Sequence, residues 1–119
     1  MATAIIVRTD GTVEDFNGTL AFDAVREAMN IGYIEHVHLS EDIAAMVDEE
    51  GVYNGAVPNI VASAVLNILG YPMEYMPGGF ILGNVLFFGG IVGDSEAPLG
   101  AAQEARLRDI LNTVKRMLG

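Results

Sequence analysis

Two histidines, His36 and His38, are the residues of this chain whose types and spacing most directly suggest chemistry. They lie in residues 33–39, where apolar and polar side chains alternate as in a β-strand. Because alternate residues of a strand point to the same side, the two imidazoles could bind one metal ion or a small ligand, with residues 48–50 supplying a carboxylate. Spacing alone fixes no third ligand, so we favour a strand face covered by solvent or by a partner and predict no cofactor.

Three successive carboxylates, Asp48, Glu49 and Glu50, precede Gly51 and mark an acidic turn. Neighbouring carboxylates diverge in a turn and therefore do not form the matched acid and base of an enzyme. Such a turn can end strand pairing and keep a sheet edge soluble, or it can offer a surface to a partner. Our candidate partner-binding residues are the acidic and aromatic ones of this turn and of the loop before it: Glu41, Asp42, Asp48, Glu49, Glu50 and Tyr53.

Several chemistries are excluded by residue types and motifs that the sequence lacks. It has no cysteine, which excludes disulfides, thiolate nucleophiles and cysteine-ligated zinc. The only lysine is Lys115, and no glycine-rich segment leads from a strand into a helix, so the phosphate loops of nucleotide-binding proteins are absent. Ser63 lies between two alanines and not in a Gly-x-Ser-x-Gly motif. We therefore predict that the protein is not an enzyme.

The distribution of charge favours one class of partner over another. The formal net charge is −10, and residues 1–100 contain only Arg8 and Arg26 as bases, whereas the other four cations lie in the last predicted helix. An acidic body repels nucleic-acid phosphate, so we expect no direct binding to nucleic acid. The acidity could serve solubility alone, or it could serve binding to a basic protein surface, including one that normally holds nucleic acid.

Apolar periodicity predicts the strands that position these residues. Strands are expected at residues 3–8, 13–16, 33–39, 43–47 and 85–88, and the first two are joined by a hairpin at Asp10-Gly11. Residues 40–47 could also begin as a short helix capped by Ser40. We favour the strand, because the acidic turn after it would let the chain fold back on residues 52–53 before reversing at Asn54-Gly55.

Three helices complete the prediction. The first spans residues 20–29, with Thr19 or Asn17 as its cap, and the second spans residues 60–69, opened by Pro58-Asn59 and buried on most sides. The third spans about residues 101–118 and is amphipathic, with cations toward its carboxyl end. Its apolar face either covers the sheet or packs on a second chain, and these residues are our candidate oligomer interface: Leu107, Ile110, Leu111, Val114, Met117 and Leu118.

The predicted fold is α+β, a small mostly antiparallel sheet with about three helices. Residues 1–93 form a compact domain, and residues 94–119 form a linker followed by the amphipathic helix. A mean hydropathy of +0.37 is high for a small monomer, so we expect a homodimer. Neither a cationic leader nor a membrane-length apolar run is found, so we expect a cytoplasmic protein without membrane contact.

Four short blocks carry a resemblance to a known family. They are the Ile-Glu-x-Val-x-Leu pattern within residues 33–39, the Asp-Glu-Glu-Gly pattern of residues 48–51, Pro-Asn-x-x-Ala-Ser at residues 58–63, and the glycine-bounded strand of residues 83–89. Together they resemble a family of small uncharacterised proteins of bacteriophages and bacteria, whose pattern tends to have an acidic residue in place of Asn84. The resemblance implies a phage-encoded or phage-derived accessory protein without enzymatic activity.

The preferred functional hypothesis is therefore a non-enzymatic accessory protein that binds a host or phage protein and modulates it. One alternative is a small-ligand or metal-binding protein with its site near His36, His38 and residues 48–50. A second alternative is an acidic mimic of nucleic acid that occupies a basic groove of its partner.

Overall fold

The computed structural model of the chain describes residues 2–53 and 55–119, with Pro77 described by its backbone alone. The reversal predicted at Asn54-Gly55 therefore lies partly outside the described residues. The elements in chain order are β1 (Ala4–Val7), β2 (Val13–Phe16), α1 (Phe22–Met29), β3 (Ile34–His38), β4 (Ala44–Asp48), α2 (Ile60–Ile68), two 3₁₀ turns (Met73–Tyr75 and Pro77–Gly79), β5 (Val85–Phe88), β6 (Ile91–Val92), β7 (Ser95–Glu96) and α3 (Ala101–Leu118).

Five of the strands form one antiparallel sheet in the order β2-β1-β5-β4-β3, and β6 pairs with β7 in a separate hairpin. The central strand β5 pairs with β1 on one side and with β4 on the other. All four of its residues are buried, which explains its unbroken apolar sequence. The antiparallel sheet and three helices confirm the predicted α+β class, including the helix at the carboxyl end.

The sheet buries both of its faces, because helices pack on each side. On the first face, side chains such as Val7, Val47 and Phe87 pack with α2 and α3. On the second face, residues one position along each strand, such as Ile6 and Phe88, pack with α1. The two-residue period of a strand thus divides the core into two apolar clusters, and it places Val37 of β3 on the first face and His36 on the second.

Strands β1 and β2 form the antiparallel hairpin that Asp10-Gly11 predicts. Gly11 has a φ of +88°, and the amide of Arg8 donates to the carbonyl of Thr12 at 2.8 Å. Helix α1, however, begins at Phe22 and not at residue 20, and neither Thr19 nor Asn17 caps it. Ala21, whose backbone is extended, is the N-cap residue, and Leu20 before it is buried in the second apolar cluster.

The segment before α3, predicted as a linker from residue 94 onward, is instead an ordered part of the fold. The β6–β7 hairpin is tied to the sheet by hydrogen bonds from the Gly89 amide to the Ala97 carbonyl at 2.9 Å and from the Leu99 amide to the Thr3 carbonyl at 2.8 Å. Leu99 is buried in the core. A Cβ at Gly89 would lie 2.2 Å from the Pro98 carbonyl oxygen, so the close return of the chain requires glycine at this position.

The predicted fold-back of residues 52–53 as a strand is also wrong. Val52 and Tyr53 are exposed turn residues. After them, the Ala56 amide donates a hydrogen bond to the Gly51 carbonyl at 3.0 Å. Helix α2, predicted to be buried on most sides, leaves one side open, since Ile60 and Ile68 are 51% and 48% exposed.

Helix α3 packs on its own chain. Its buried residues Leu107, Ile110, Leu111 and Val114 belong to the first apolar cluster. Polar contacts hold the outer side of the same helix, including the Arg106 guanidinium at 3.2 Å from the Glu41 carboxylate.

A buried amide joins α2 to the sheet. The Nδ2 atom of Asn59 donates to the carbonyls of Val7 and Gly83 at 2.9 and 3.0 Å, and its Oδ1 atom accepts from the Ala62 amide at 3.0 Å. The Ser63 hydroxyl donates to the Asn59 carbonyl at 2.6 Å and accepts from the amide of Ile81 at 2.9 Å. Pro58-Asn59 therefore opens α2 as predicted, and Asn59 also fastens the helix to the ends of β1 and β5.

We expect Asn59→Ala to lower the free energy of unfolding by about 2–4 kcal/mol, because it leaves two buried carbonyls and one amide without partners. Urea denaturation measures this loss. Asn59→Asp keeps the capping oxygen and removes only the two donors, so it should also be destabilised. Asn112→Ala, on the exposed side of α3, is the control and should stay within about 0.7 kcal/mol of the wild type. Wild-type stability of Asn59→Asp would contradict the proposed role of the donors.

Candidate functional site

The acidic turn lies at one corner of the sheet, where β3 begins and β4 ends. Ile34 pairs with Asp48 in the last position of the β3–β4 ladder, and the Glu49 amide donates to the Tyr33 carbonyl at 3.1 Å. The Asp48 carboxylate accepts from the Glu50 amide at 2.9 Å, which shapes the turn. Asp48 is half-buried and its carboxylate binds a backbone amide, whereas Glu49 is exposed.

All four tyrosines of the chain surround this corner. Tyr33 precedes β3, Tyr53 follows the acidic turn and is 87% exposed, and Tyr71 and Tyr75 meet edge to face with ring centroids 5.8 Å apart. Tyr71 and Tyr75 line a small cleft together with Glu35, Asp48 and Glu49. We refer to these residues as the tyrosine–carboxylate corner: Tyr33, Glu35, Asp48, Glu49, Glu50, Tyr53, Tyr71 and Tyr75.

The cleft within the corner is a contact surface more than a ligand cavity. Its volume is about 150 Å³. Cavities that hold small molecules or cofactors occupy roughly 300–1,000 Å³. Glu35, Glu49 and Glu50 form no ion pair with the described residues, and the side chains of Glu35 and Glu49 are exposed. Exposed phenol rings beside such carboxylates suit a protein partner that carries cations.

The electrostatics of the corner are visible at Tyr71. Partial burial raises the pKa of the Tyr71 phenol above its ordinary value, and the nearby Glu35 carboxylate and Tyr75 phenol raise it further. A negative charge next to a phenol disfavours the phenolate, so Glu35 acts on the Tyr71 pKa in the same direction as burial does.

Two predicted partner-binding residues lie elsewhere. Glu41 and Asp42 form the turn before β4, whereas the acidic turn follows it, so the length of β4 separates the two groups by about 17 Å. Both turn residues have positive φ, and α3 holds the turn through Arg106 and through the Gln103 amide, which donates to the Asp42 carbonyl at 2.8 Å. The six predicted residues therefore do not form one surface.

The histidines are also separated from the acidic turn. His36 packs between the rings of Phe22 and Phe88, with centroids 5.9 Å from each, and its Nε2 atom lies 3.4 Å from a Glu96 carboxylate oxygen. His38 is exposed and pairs with Ala44, four positions along the ladder from the Ile34–Asp48 pair. Within residues 2–53 and 55–119, no group of three or more histidine, aspartate or glutamate side chains is arranged to hold a metal ion.

The predicted oligomer interface is divided between the core and the surface. Leu107, Ile110, Leu111 and Val114 are buried within the chain itself and are closed to a second chain in this fold. Met117 and Leu118 are exposed at the end of α3. The apolar face of α3 is thus largely buried within the first apolar cluster of the chain.

A wider depression of about 510 Å³ lies on the second face, near the start of β5. Part of its polar lining is used within the chain: the Asn84 side-chain amide accepts from the Thr9 backbone amide and donates to the Met29 carbonyl, and Arg26 pairs with Asp23.

The chain has no significant match among protein-family models, curated proteins or solved structures. Among the described residues, none of the helices combines the length and the apolar character needed to cross a membrane.

Sequence reasoning found the acidic turn and Tyr53 but missed three of the tyrosines in the corner. Tyr33, Tyr71 and Tyr75 come from separate segments, and the β3–β4 ladder and the return of the chain after α2 bring them together. One sequence signal could have found two of them, since Tyr33 lies two residues from Glu35 and Tyr75 directly follows Glu74.

We expect Glu35→Gln to lower the pKa of the Tyr71 phenol, because it removes a negative charge that disfavours the phenolate. NMR titration of ring-labelled tyrosine measures the shift, and Tyr71→Phe assigns the signal. Glu27→Gln, an exposed glutamate of α1, makes the same charge change outside the corner and should leave the Tyr71 pKa where it is in the wild type. Equal shifts in both variants would contradict a local effect of Glu35.

Proposed function

We propose that the protein is a non-enzymatic accessory protein that binds a basic region of a host or phage protein and modulates its activity. The observation that carries the proposal is the cleft of the tyrosine–carboxylate corner, where Tyr71 and Tyr75 lie beside Glu35 and Glu49, two exposed glutamates that form no ion pair with the described residues. The resemblance to phage and bacterial proteins supports the choice of partner and the cytoplasm of a host cell as the place of action.

The corner has the chemistry that recognises arginine and lysine. Phenol rings offer a large contact area with few rotatable bonds, and their faces attract cations. A carboxylate such as Glu49 adds a charge-assisted hydrogen bond, which is bidentate when the donor is arginine. Tyrosine is also among the residues that contribute most of the binding energy at protein interfaces. In a basic segment of a partner, the apolar stems of lysine and arginine would pack on the phenol rings, and their charged groups would bind the carboxylates.

The charge of the whole molecule supports the same partner class. A net charge of −10 steers basic surfaces toward the protein and repels acidic ones, over distances set by the ionic strength. Four of the six cations are already paired with carboxylates of the chain: Arg8, Arg26, Arg106 and Arg108.

The two alternatives receive less support from the geometry. A metal site near His36 and His38 would need a third ligand, and within residues 2–53 and 55–119 no group of three or more histidine, aspartate or glutamate side chains is arranged to hold an ion. A nucleic-acid mimic needs a continuous row of carboxylates, whereas Glu41 and Asp42 lie at the opposite end of β4 from residues 48–50. Metal analysis of the purified protein, and the salt dependence of binding, test these alternatives directly.

We expect the triple variant Glu49→Gln, Glu50→Gln, Tyr53→Ser to capture at least about tenfold less of the partner from a host lysate than the wild type does. The substituted side chains lie in a turn and only Glu50 is half-buried, so the fold should be retained. Quantitative mass spectrometry of the captured proteins measures the loss. The partner is then purified, and replacing its lysines and arginines at the contact should abolish binding.

A matched control separates the corner from the effect of net charge. Glu27→Gln combined with Asp109→Asn removes two exposed carboxylates from α1 and α3 and should capture the partner as the wild type does. Equal losses in both variants would reduce the proposal to nonspecific charge. Capture of no protein, together with a metabolite or nucleotide that raises the melting temperature by several degrees, would favour the small-ligand alternative.

A further inference from the structure

We propose that the basic segment of the partner joins the sheet as an added strand, antiparallel to the edge strand β3. This inference rests on the proposed function, because it specifies the conformation in which a segment with cations meets the tyrosine–carboxylate corner. Strand β3 pairs with β4 on one side, and within residues 2–53 and 55–119 no strand pairs with its other side. All pairs of the five-stranded sheet are antiparallel, the arrangement with the more stable hydrogen bonds.

The backbone groups of β3 alternate between β4 and the open edge. At one end of the strand the Tyr33 carbonyl accepts from the Glu49 amide at 3.1 Å, and at the other end the Leu39 amide donates to the Ile43 carbonyl at 3.0 Å. In an antiparallel ladder, residues that bond to the neighbouring strand alternate with residues that face away from it. The even-numbered residues of β3 therefore direct their amides and carbonyls to the open edge: Ile34, His36 and His38.

This row of backbone groups is available to an added strand. Among the described loops, none forms a hydrogen bond with the amide or carbonyl of Ile34, His36 or His38. The pairing of β3 with β4 has no bulge, and β3 contains neither proline nor lysine, two residues that commonly block an edge. An extended segment can therefore bind to a regular row of three donors and three acceptors.

Glu35 determines which kind of segment fits this edge. Its side chain lies two residues from Val37 and shares the first face, where it lines the cleft with Tyr71 and Tyr75. An added antiparallel strand forms a non-hydrogen-bonded pair at Glu35, the type of pair in which side chains are closest. A lysine or arginine of the segment at this position lies within reach of the Glu35 carboxylate and beside the two phenol rings.

The neighbours of that cation in the segment meet an apolar surface on the second face. They lie opposite Ile34 and His36, because side chains of a strand alternate between faces. Ile34 lines a depression of about 490 Å³ together with Phe22 and Tyr33, whose side chains are 52% and 62% exposed. The segment that fits therefore has a cation between two apolar residues.

Charge distinguishes this edge from the opposite one, and a partner's segment from a second copy. At the other edge of the sheet, the carboxylates of β2 already pair with arginines: Glu14 with Arg8 and Asp15 with Arg108. Residues 33–39 contain no lysine or arginine, so β3 of a second copy has no cation to pair with Glu35. The net charge of −10 opposes that pairing further. Glu35 thus disfavours self-association of the edge and favours a basic segment.

NMR titration of the isotope-labelled full chain with a defined peptide tests the inference. The probe is the capped peptide Thr-Ser-Val-Arg-Val-Ser-Thr, with its arginine opposite Glu35 and its valines opposite Ile34 and His36. The backbone amide signals of Ile34, His36 and His38 should shift on binding, because their donors gain acceptors.

Methylation of the probe's backbone nitrogens tests the added strand itself. Methyl groups on both valine nitrogens remove the donors that face β3, so the dissociation constant should rise at least about tenfold. The two serine nitrogens face away from β3, and their methylation should leave the dissociation constant within about twofold of that of the unmodified probe. Equal effects of the two modifications would overturn the inference.

A charge exchange tests the position of the cation. Glu35→Gln should raise the dissociation constant of the probe about two- to fivefold, because a cross-strand pair of opposite charges is lost. Glu14→Gln makes the same change on the other edge strand and should bind the probe as the wild type does; both glutamates are exposed, so the fold should be retained. Glu35→Lys should bind a probe with glutamate in place of arginine more tightly than the wild type does. Equal binding of that probe by both proteins would exclude the pairing at Glu35.

Failure of this inference can be distinguished from failure of the proposed function. Shifts confined to Glu49, Tyr53 and Tyr75, without shifts at the edge of β3, would mean that the corner binds cations through side chains alone. A probe that does not bind at millimolar concentration would also exclude the added strand, whereas capture by the triple variant tests the proposed function separately. Dimerisation of the chain alone that shifts the same edge amides would assign the edge to a second copy.

Discussion

The buried side chain of Asn59 is the interaction on which the rest of the structure depends. It joins three separate segments, because one amide group binds the carbonyls at the end of β1 and before β5 and also caps α2. A buried polar group that is fully paired permits one arrangement and penalises the others. By fixing the start of α2, Asn59 fixes the direction in which the chain leaves the helix, and therefore the positions of Tyr71 and Met73. The cleft of the tyrosine–carboxylate corner, which Tyr71 lines, depends on this direction.

The parts of the fold that the sequence predicts are those in which local pattern and tertiary burial agree. Strand β5 is apolar at every position and lies at the centre of the sheet, and β1 and β2 are joined at the Asp10-Gly11 hairpin. The β6–β7 hairpin was not predicted, because a contact between residues that are distant in the chain determines it. Gly89 is needed where the chain returns close to the Pro98 carbonyl, and a glycine needed for a close approach looks the same in the sequence as one in a linker.

The functional residues were predictable to the extent that they are neighbours in the chain. The acidic turn is continuous in sequence, and so it was found together with Tyr53. The other tyrosines could not be assigned to it, because strand pairing and the exit of α2 bring them there. For α3, the sequence predicts which residues are buried but not what buries them. Apolar spacing indicates that Leu107 and Val114 are buried, yet the same spacing would be found whether the helix packs on its own chain or on a second one.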